Sequence, residues 1–175
     1  MKQIITSLDI GTNSIKLIVG EIYREKLFVL AVSKVNSKGI KKGIVVNDEE
    51  VILSLKEAFK EVESVIGTKI NRVILCVPSY FASFVKREGY TTISRDDAIV
   101  TGEDITRSLQ ASVYNRVSPN LELVSVSPMY FIINEKEVVS DPKGMEAFKV
   151  SANTMLAMAP KQSIYPLIAI LEILG

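Results

Sequence analysis

The stretch QIITSLDIGTNSIKLIVGE, residues 3–21, decides how this chain opens. Two apolar runs, 3–8 and 17–21, are rich in Ile, Leu and Val and only five to six residues long. That length and β-branched content predict two antiparallel strands joined by a tight turn rather than a helix. Between them stand Asp9, Ile10, Gly11, Thr12, Asn13, Ser14, Ile15 and Lys16. Gly11 permits a sharp bend, and the short side chains of Thr12, Asn13 and Ser14 leave backbone N–H groups free to converge on one point, the concavity that a phosphate needs. Asp9, at the strand end, is placed to hold a hydrated Mg²⁺ through water. Lys16 lies two residues beyond Ser14 on the same strand face and reaches the same anion. The cofactor-binding candidates are therefore Asp9, Gly11, Thr12, Asn13, Ser14 and Lys16, with Asp9 also the candidate metal residue. A plain polar hairpin loop has the same composition, so on these residues alone both readings stand.

Composition narrows the classes around this turn. The 175 residues, 47% hydrophobic, furnish a real core for one ordinary domain or two small ones. Basic and acidic residues balance at 21 and 20, which gives no electrostatic footprint for nucleic acid or anionic lipid. The chain contains no histidine. Ser-His, Cys-His and His-metal sites are thereby excluded, and any chemistry falls to carboxylates, Lys, Ser/Thr or backbone. The single cysteine, Cys76, sits inside an apolar run and reads as a buried strand thiol in a reducing compartment. No signal peptide precedes the first strand, and apolar stretches such as 167–170 are far too short to span a membrane, so a cytoplasmic location is expected.

Outward from the hairpin, residues 26–35 alternate as a third antiparallel strand, and the glycine-bracketed segment 39–46 reads as a structural loop with a short extended piece. Asn47, with Glu50 three residues on, predicts a capped helix whose Ile52, Leu55, Phe59, Val62 and Ile66 share one face and which ends at Gly67. The run 72–78, closed by Pro78, predicts a central strand buried on both faces. These elements make an α/β fold built on a mixed sheet. From about 82 to 159 the order becomes strand, helix, strand, strand. Residues 84–93 are extended, Thr101 and Asp104 open a helix, 122–133 forms a strand interrupted by Pro128 at an edge or bulge, and 148–158 forms another. Asp96 and Asp97 read as a solvated turn rather than a metal site. A last helix starts at Pro160 or Ser163, with Pro166 in its first turn and Ile164, Leu167, Ile168, Leu171 and Ile173 or Leu174 on its buried side.

With these stretches in order, the chain resembles the FtsA family of the actin/Hsp70/sugar-kinase superfamily. Three segments carry the resemblance: Asp9 to Lys16, similar to the first phosphate motif; SKGIKKGIVV, 37–46, similar to a Gly-Ile-x-x-Gly-x-Val segment; and SDPKGM, 140–145, similar to a turn of an inserted subdomain. The resemblance implies a partial actin-like (ribonuclease H-like) mixed sheet with an inserted small strand-helix-strand-strand α+β subdomain. Residues 1–79 plus 160–175 would be subdomain 1A, incomplete, and 80–159 the inserted subdomain 1C. Within 1C, Lys86, Arg87, Glu88 and Gly89 depart from the family's Asn-Ser-x-Gly turn.

The family's function, carried over, is that of a nucleotide-binding filament scaffold rather than an enzyme, with no catalytic residue assigned here. It implies ATP and Mg²⁺ in the full-length protein, with none bound tightly by this chain, because the nucleotide's second lobe is lacking. It implies FtsZ as a partner through regions absent here, and neighbouring FtsA subunits and late division proteins as partners of 1C. Nucleic acid is not among them. The membrane is reached only through an absent C-terminal helix, which places the protein peripherally at the inner face of the cell membrane at the division site. A PilM-like pilus-assembly scaffold and a superfamily sugar kinase or phosphatase are the alternatives, the first sharing 1C and the second sharing the Asp-Ile-Gly-Thr-Asn-Ser motif.

Overall fold

The computed structural model describes residues 3–175, and the chain divides into two compact units, 1–81 with 162–175, and 82–161.

In the first unit, β1 (Gln3–Ile10) and β2 (Ser14–Tyr23) form the antiparallel hairpin, in a register that sets Asp9 opposite Lys16 and Ile10 opposite Ile15. β3 (Lys26–Asn36) pairs antiparallel with β2. The segment 39–46 is more than a loop. It forms a small hairpin of β4 (Ile40–Lys41) and β5 (Ile44–Val45), turned by Lys42 and Gly43, both at positive φ. Helix α1 (Asp48–Ile66) starts where Asn47 Oδ1 accepts the Glu50 N–H at 3.2 Å, and it stops at Gly67, whose left-handed φ of 71° lets its N–H reach the Glu63 carbonyl. Its Val51, Leu55, Ala58 and Val62 are buried against Leu8, Ile15, Leu17, Val19, Ala31 and Val35 of the sheet. Each Val, Leu or Ile among them contributes roughly 1.5–3 kcal/mol through apolar area removed from water.

The run 72–78 corrects its expectation. β6 (Ile74–Cys76) pairs parallel with β1 alone and ends the sheet, whose order is β3-β2-β1-β6. Ile74 is 60% exposed and Cys76 is exposed too, because no further strand among the described residues flanks β6 and no layer covers its outer face. A single turn of 3-10 helix, Ser79–Phe81, follows. The other element of this unit, α3 (Lys161–Leu174), also departs from expectation: Pro166 lies beyond its first turn and forgoes the amide bond toward Gln162. Its buried face is Ser163, Ile164, Leu167 and Ile170, while Ile168 and Ile173 are exposed.

The second unit is a sheet of order β7-β10-β8-β9 with one helix: β7 (Ser83–Thr92), α2 (Gly102–Val113), β8 (Leu121–Ile133), β9 (Glu137–Val139) and β10 (Lys149–Pro160). β9, three residues long, is an element the sequence did not signal. Pro128 sits at a register shift in the β8–β10 ladder and outside the stretch that β9 pairs, the kind of irregular, one-sided position at which a missing N–H is tolerated. Lys86 to Gly89 lie within β7 rather than in a turn. Gly89 is where helix and strand touch most closely, since a Cβ there would stand 2.1 Å from the Ser112 nitrogen and 2.4 Å from the Ser108 carbonyl oxygen.

The start of α2 is fastened by a buried charge. Asp104 accepts from the Thr101 N–H (2.8 Å) and hydroxyl (2.7 Å), from both terminal nitrogens of Arg95 (3.1 and 2.5 Å), and from Arg107. The Arg95 guanidinium, ahead of the Thr101 and Arg107 hydrogen bonds, holds the Asp104 carboxyl well below the usual carboxylate range against the opposing effect of burial.

Candidate phosphate-binding turn

Three residues, Gly11 to Asn13, join β1 to β2. The Gly11 N–H closes the loop on the Ser14 carbonyl at 3.1 Å, so this amide is spent within the turn. Gly11 is needed for space: a Cβ would lie 3.0 Å from that same Ser14 oxygen. Among the described residues the Thr12 and Asn13 amides donate to no acceptor in the chain, whereas the Asn13 carbonyl accepts the Ser37 N–H at 3.1 Å. The turn thus offers two unspent backbone donors.

A hollow of about 570 Å³ opens beside it, walled by Asp9, Gly11 and Thr12, by Lys42 and Gly43 of the β4–β5 hairpin, and by 77–80. Asp9 is the only carboxylate on that wall among the described residues. Of the residues expected to form the site, Asp9, Gly11 and Thr12 line the hollow, and Asn13, Ser14 and Lys16 do not. Lys16 Nζ instead donates to Asp9 Oδ2 at 2.9 Å, with both side chains about half exposed. That pairing follows from the hairpin register, which a three-residue loop already dictates, and it was the signal available in the sequence. Lys42 was missed because only a contact across the fold brings it here: the Gly43 N–H donates to Thr12 Oγ1 at 3.2 Å.

Comparison with known proteins sets this geometry in a family. A model described as "SHS2 domain inserted in FTSA" matches residues 82–157, nearly the whole second unit. The cell division protein FtsA of Bacillus subtilis (strain 168) is 28% identical over 173 residues, 99% of this chain and 39% of that protein. The chain is thus similar to FtsA proteins over nearly its whole length. FtsA of Streptococcus pneumoniae serotype 2 is 27% identical over 162 residues, 93% of this chain and 35% of that protein, so the chain spans less than two fifths of these relatives. A solved PilM-PilN type IV pilus biogenesis complex superposes with a TM-score of 0.56 over 96% of this chain and 44% of the other, at 14% identity, a likeness of fold alone. The fold is accordingly a partial actin-like mixed sheet carrying an inserted α+β subdomain. No helix among the described residues is long and apolar enough to cross a membrane.

Proposed function

We propose that this chain is the phosphate-binding and interaction portion of an FtsA-like cell-division scaffold, with the first unit as an incomplete subdomain 1A and the second as 1C. In this reading the free Thr12 and Asn13 amides receive the phosphates of ATP, and Asp9 holds the hydrated Mg²⁺. The partner regions that meet FtsZ and the membrane lie in polypeptide beyond this chain, while 1C meets neighbouring FtsA subunits and late division proteins at the division site. The observation that carries the reading is the union, on one chain, of an FtsA-type SHS2 domain with a hairpin turn whose Thr12, with an unspent amide, and carboxylate Asp9 line one hollow.

A scaffold rather than an enzyme is favoured because water activation needs a base opposite the phosphate, and the hollow's wall carries only Asp9 among the described residues. Two amides contribute about 0.5–1.5 kcal/mol each, against several kcal/mol lost in immobilising the ligand. ATP is therefore expected to bind this chain only weakly, and a titration giving micromolar affinity refutes that. The cellular role is tested by a fluorescent fusion of the gene product in its own host. It concentrates at the septum if the protein serves division, and an even distribution through dividing cells contradicts the reading. The PilM-like fold supports a pilus role less well, because the sequence relatives are FtsA proteins.

A further inference from the structure

A phosphate seat needs a cation as well as amides, and the expected one is occupied: Lys16 is held by Asp9 and does not line the hollow. Lys42 does line it, and its backbone is pinned from several sides. The Gly43 N–H donates to Thr12 Oγ1, and a Cβ on Gly43 would come within 3.2 Å of the Pro78 ring, on the hollow's other wall. Behind the tip, the Val46 and Asn47 N–H groups both close on the Gly39 carbonyl, at 2.8 and 3.2 Å. Lys42 and Gly43, at φ of 49° and 75°, have the two successive positive values of a primed hairpin turn, which fixes where the lysine leaves the backbone. Thr12 is oriented by the same contact. A hydroxyl that accepts from Gly43 has its own proton to donate elsewhere, and the hollow lies beside it.

We propose that Lys42 and Thr12 complete the phosphate seat. The Lys42 ammonium is the cation for a bound diphosphate group, the Thr12 hydroxyl donates to the same group under the orientation set by Gly43, and Lys16 serves to position Asp9. This rests on the reading of the turn as phosphate-binding and adds the charge that reading lacked. The ligand chemistry is a diphosphate, free as pyrophosphate or carried by a nucleoside triphosphate with Mg²⁺.

The test is an amide NMR titration of the full chain with pyrophosphate and, separately, with MgATP, on the unsubstituted protein and on Lys42→Ala, Thr12→Val and Lys41→Ala. Both ligands are expected to shift the amide signals of residues 11–14. Lys42→Ala should weaken binding about three- to fivefold, the effect of one exposed charge pair, and flatten its salt dependence, with Lys41→Ala unchanged. Thr12→Val, nearly isosteric, should weaken it by a similar factor. Equal loss in Lys41→Ala and Lys42→Ala indicates diffuse charge and overturns the proposal, as does a turn that responds to MgATP but not to pyrophosphate. Binding at residues 11–14 that survives both Lys42→Ala and Thr12→Val overturns it while leaving the parent reading intact. No response at residues 11–14 in the unsubstituted protein overturns both.

Discussion

Replacing Asp104 by Ala tests whether a single buried carboxylate holds the second unit together at the start of α2. The side chain is fully buried and accepts from Thr101, Arg95 and Arg107. Removing it abolishes the capping box, worth about 1 kcal/mol, and orphans the Thr101 donors. The lost bonds to Arg95 and Arg107 are charge-assisted, but those side chains are 39% and 46% exposed and rehydrate, so each is discounted to about 1 kcal/mol. The total is about 3 kcal/mol, or roughly 12–24 °C in the melting temperature of a unit of this size. Asp104→Asn keeps one acceptor and turns an amide toward the guanidinium groups, for a loss of about 2 kcal/mol. The sign with pH follows from a carboxyl whose pKa is depressed by folding: its contribution is full above about pH 4, the unfolded value, and declines as pH falls toward the lower folded value. The gap between the native protein and Asp104→Asn should therefore narrow between about pH 5 and pH 2. Urea unfolding followed through the amide signals of α2 and β10 reads this unit alone. A loss of under about 0.5 kcal/mol for Asp104→Ala, or a gap that holds constant through acid, refutes the reasoning.

Gly89→Ala drives a Cβ into the backbone of α2 at Ser112 and Ser108 and should cost about 3 kcal/mol, read as faster amide exchange in α2 and β7. Phe84 and Phe131 separate surface from core on the same unit. Phe84→Ala, at a site 63% exposed, should leave the melting temperature within a few degrees, whereas Phe131→Ala, 5% exposed, should lose about 3–5 kcal/mol. If 1C is an interaction module, partner capture falls with Phe84→Ala at unchanged stability. Asp9→Ala removes a half-exposed pair and should change stability by at most about 1 kcal/mol while abolishing the Mg²⁺ dependence of any ATP-induced shifts at residues 11–14.

What could be read from the sequence was what is decided locally. The β1–β2 hairpin, α1 with its Asn47 and Gly67 ends, and α2 with Thr101 and Asp104 are each set by residues within a few positions of one another. Where the deciding partner lies far along the chain, the pattern misleads. An apolar run such as 72–78 has the same composition in the middle of a sheet as at its edge, and only the pairing with β1 alone distinguishes them. β9 is too short for periodicity to register, and its three pairs with β8 define it. At the turn, residue types singled out the loop, but Lys42 joins the same hollow from a hairpin 31 positions away, through the Gly43 to Thr12 contact. Lys16 was assigned to the anion because strand alternation puts it on that face, yet the same hairpin register delivers it to Asp9.

The two units differ in how their polar groups are spent, and that difference bears on function. The Asp104 carboxylate is buried and both of its oxygens are answered, which gives the start of α2 rigidity and leaves that carboxylate nothing to offer a small ligand. At the turn the amides of Thr12 and Asn13 and the half-exposed Asp9 remain open to solvent, and a site of so few donors binds weakly by itself. Weakness here has a consequence. Each further donor brought against the same phosphate, at about 1 kcal/mol, multiplies affinity about fivefold, so a surface that closes over the hollow is coupled to the ligand it encloses. By linkage the ligand raises the affinity of that surface by the same factor. On the proposed reading, an anion half-site of this kind is suited to reporting assembly, its occupancy rising when a second surface closes over the hollow.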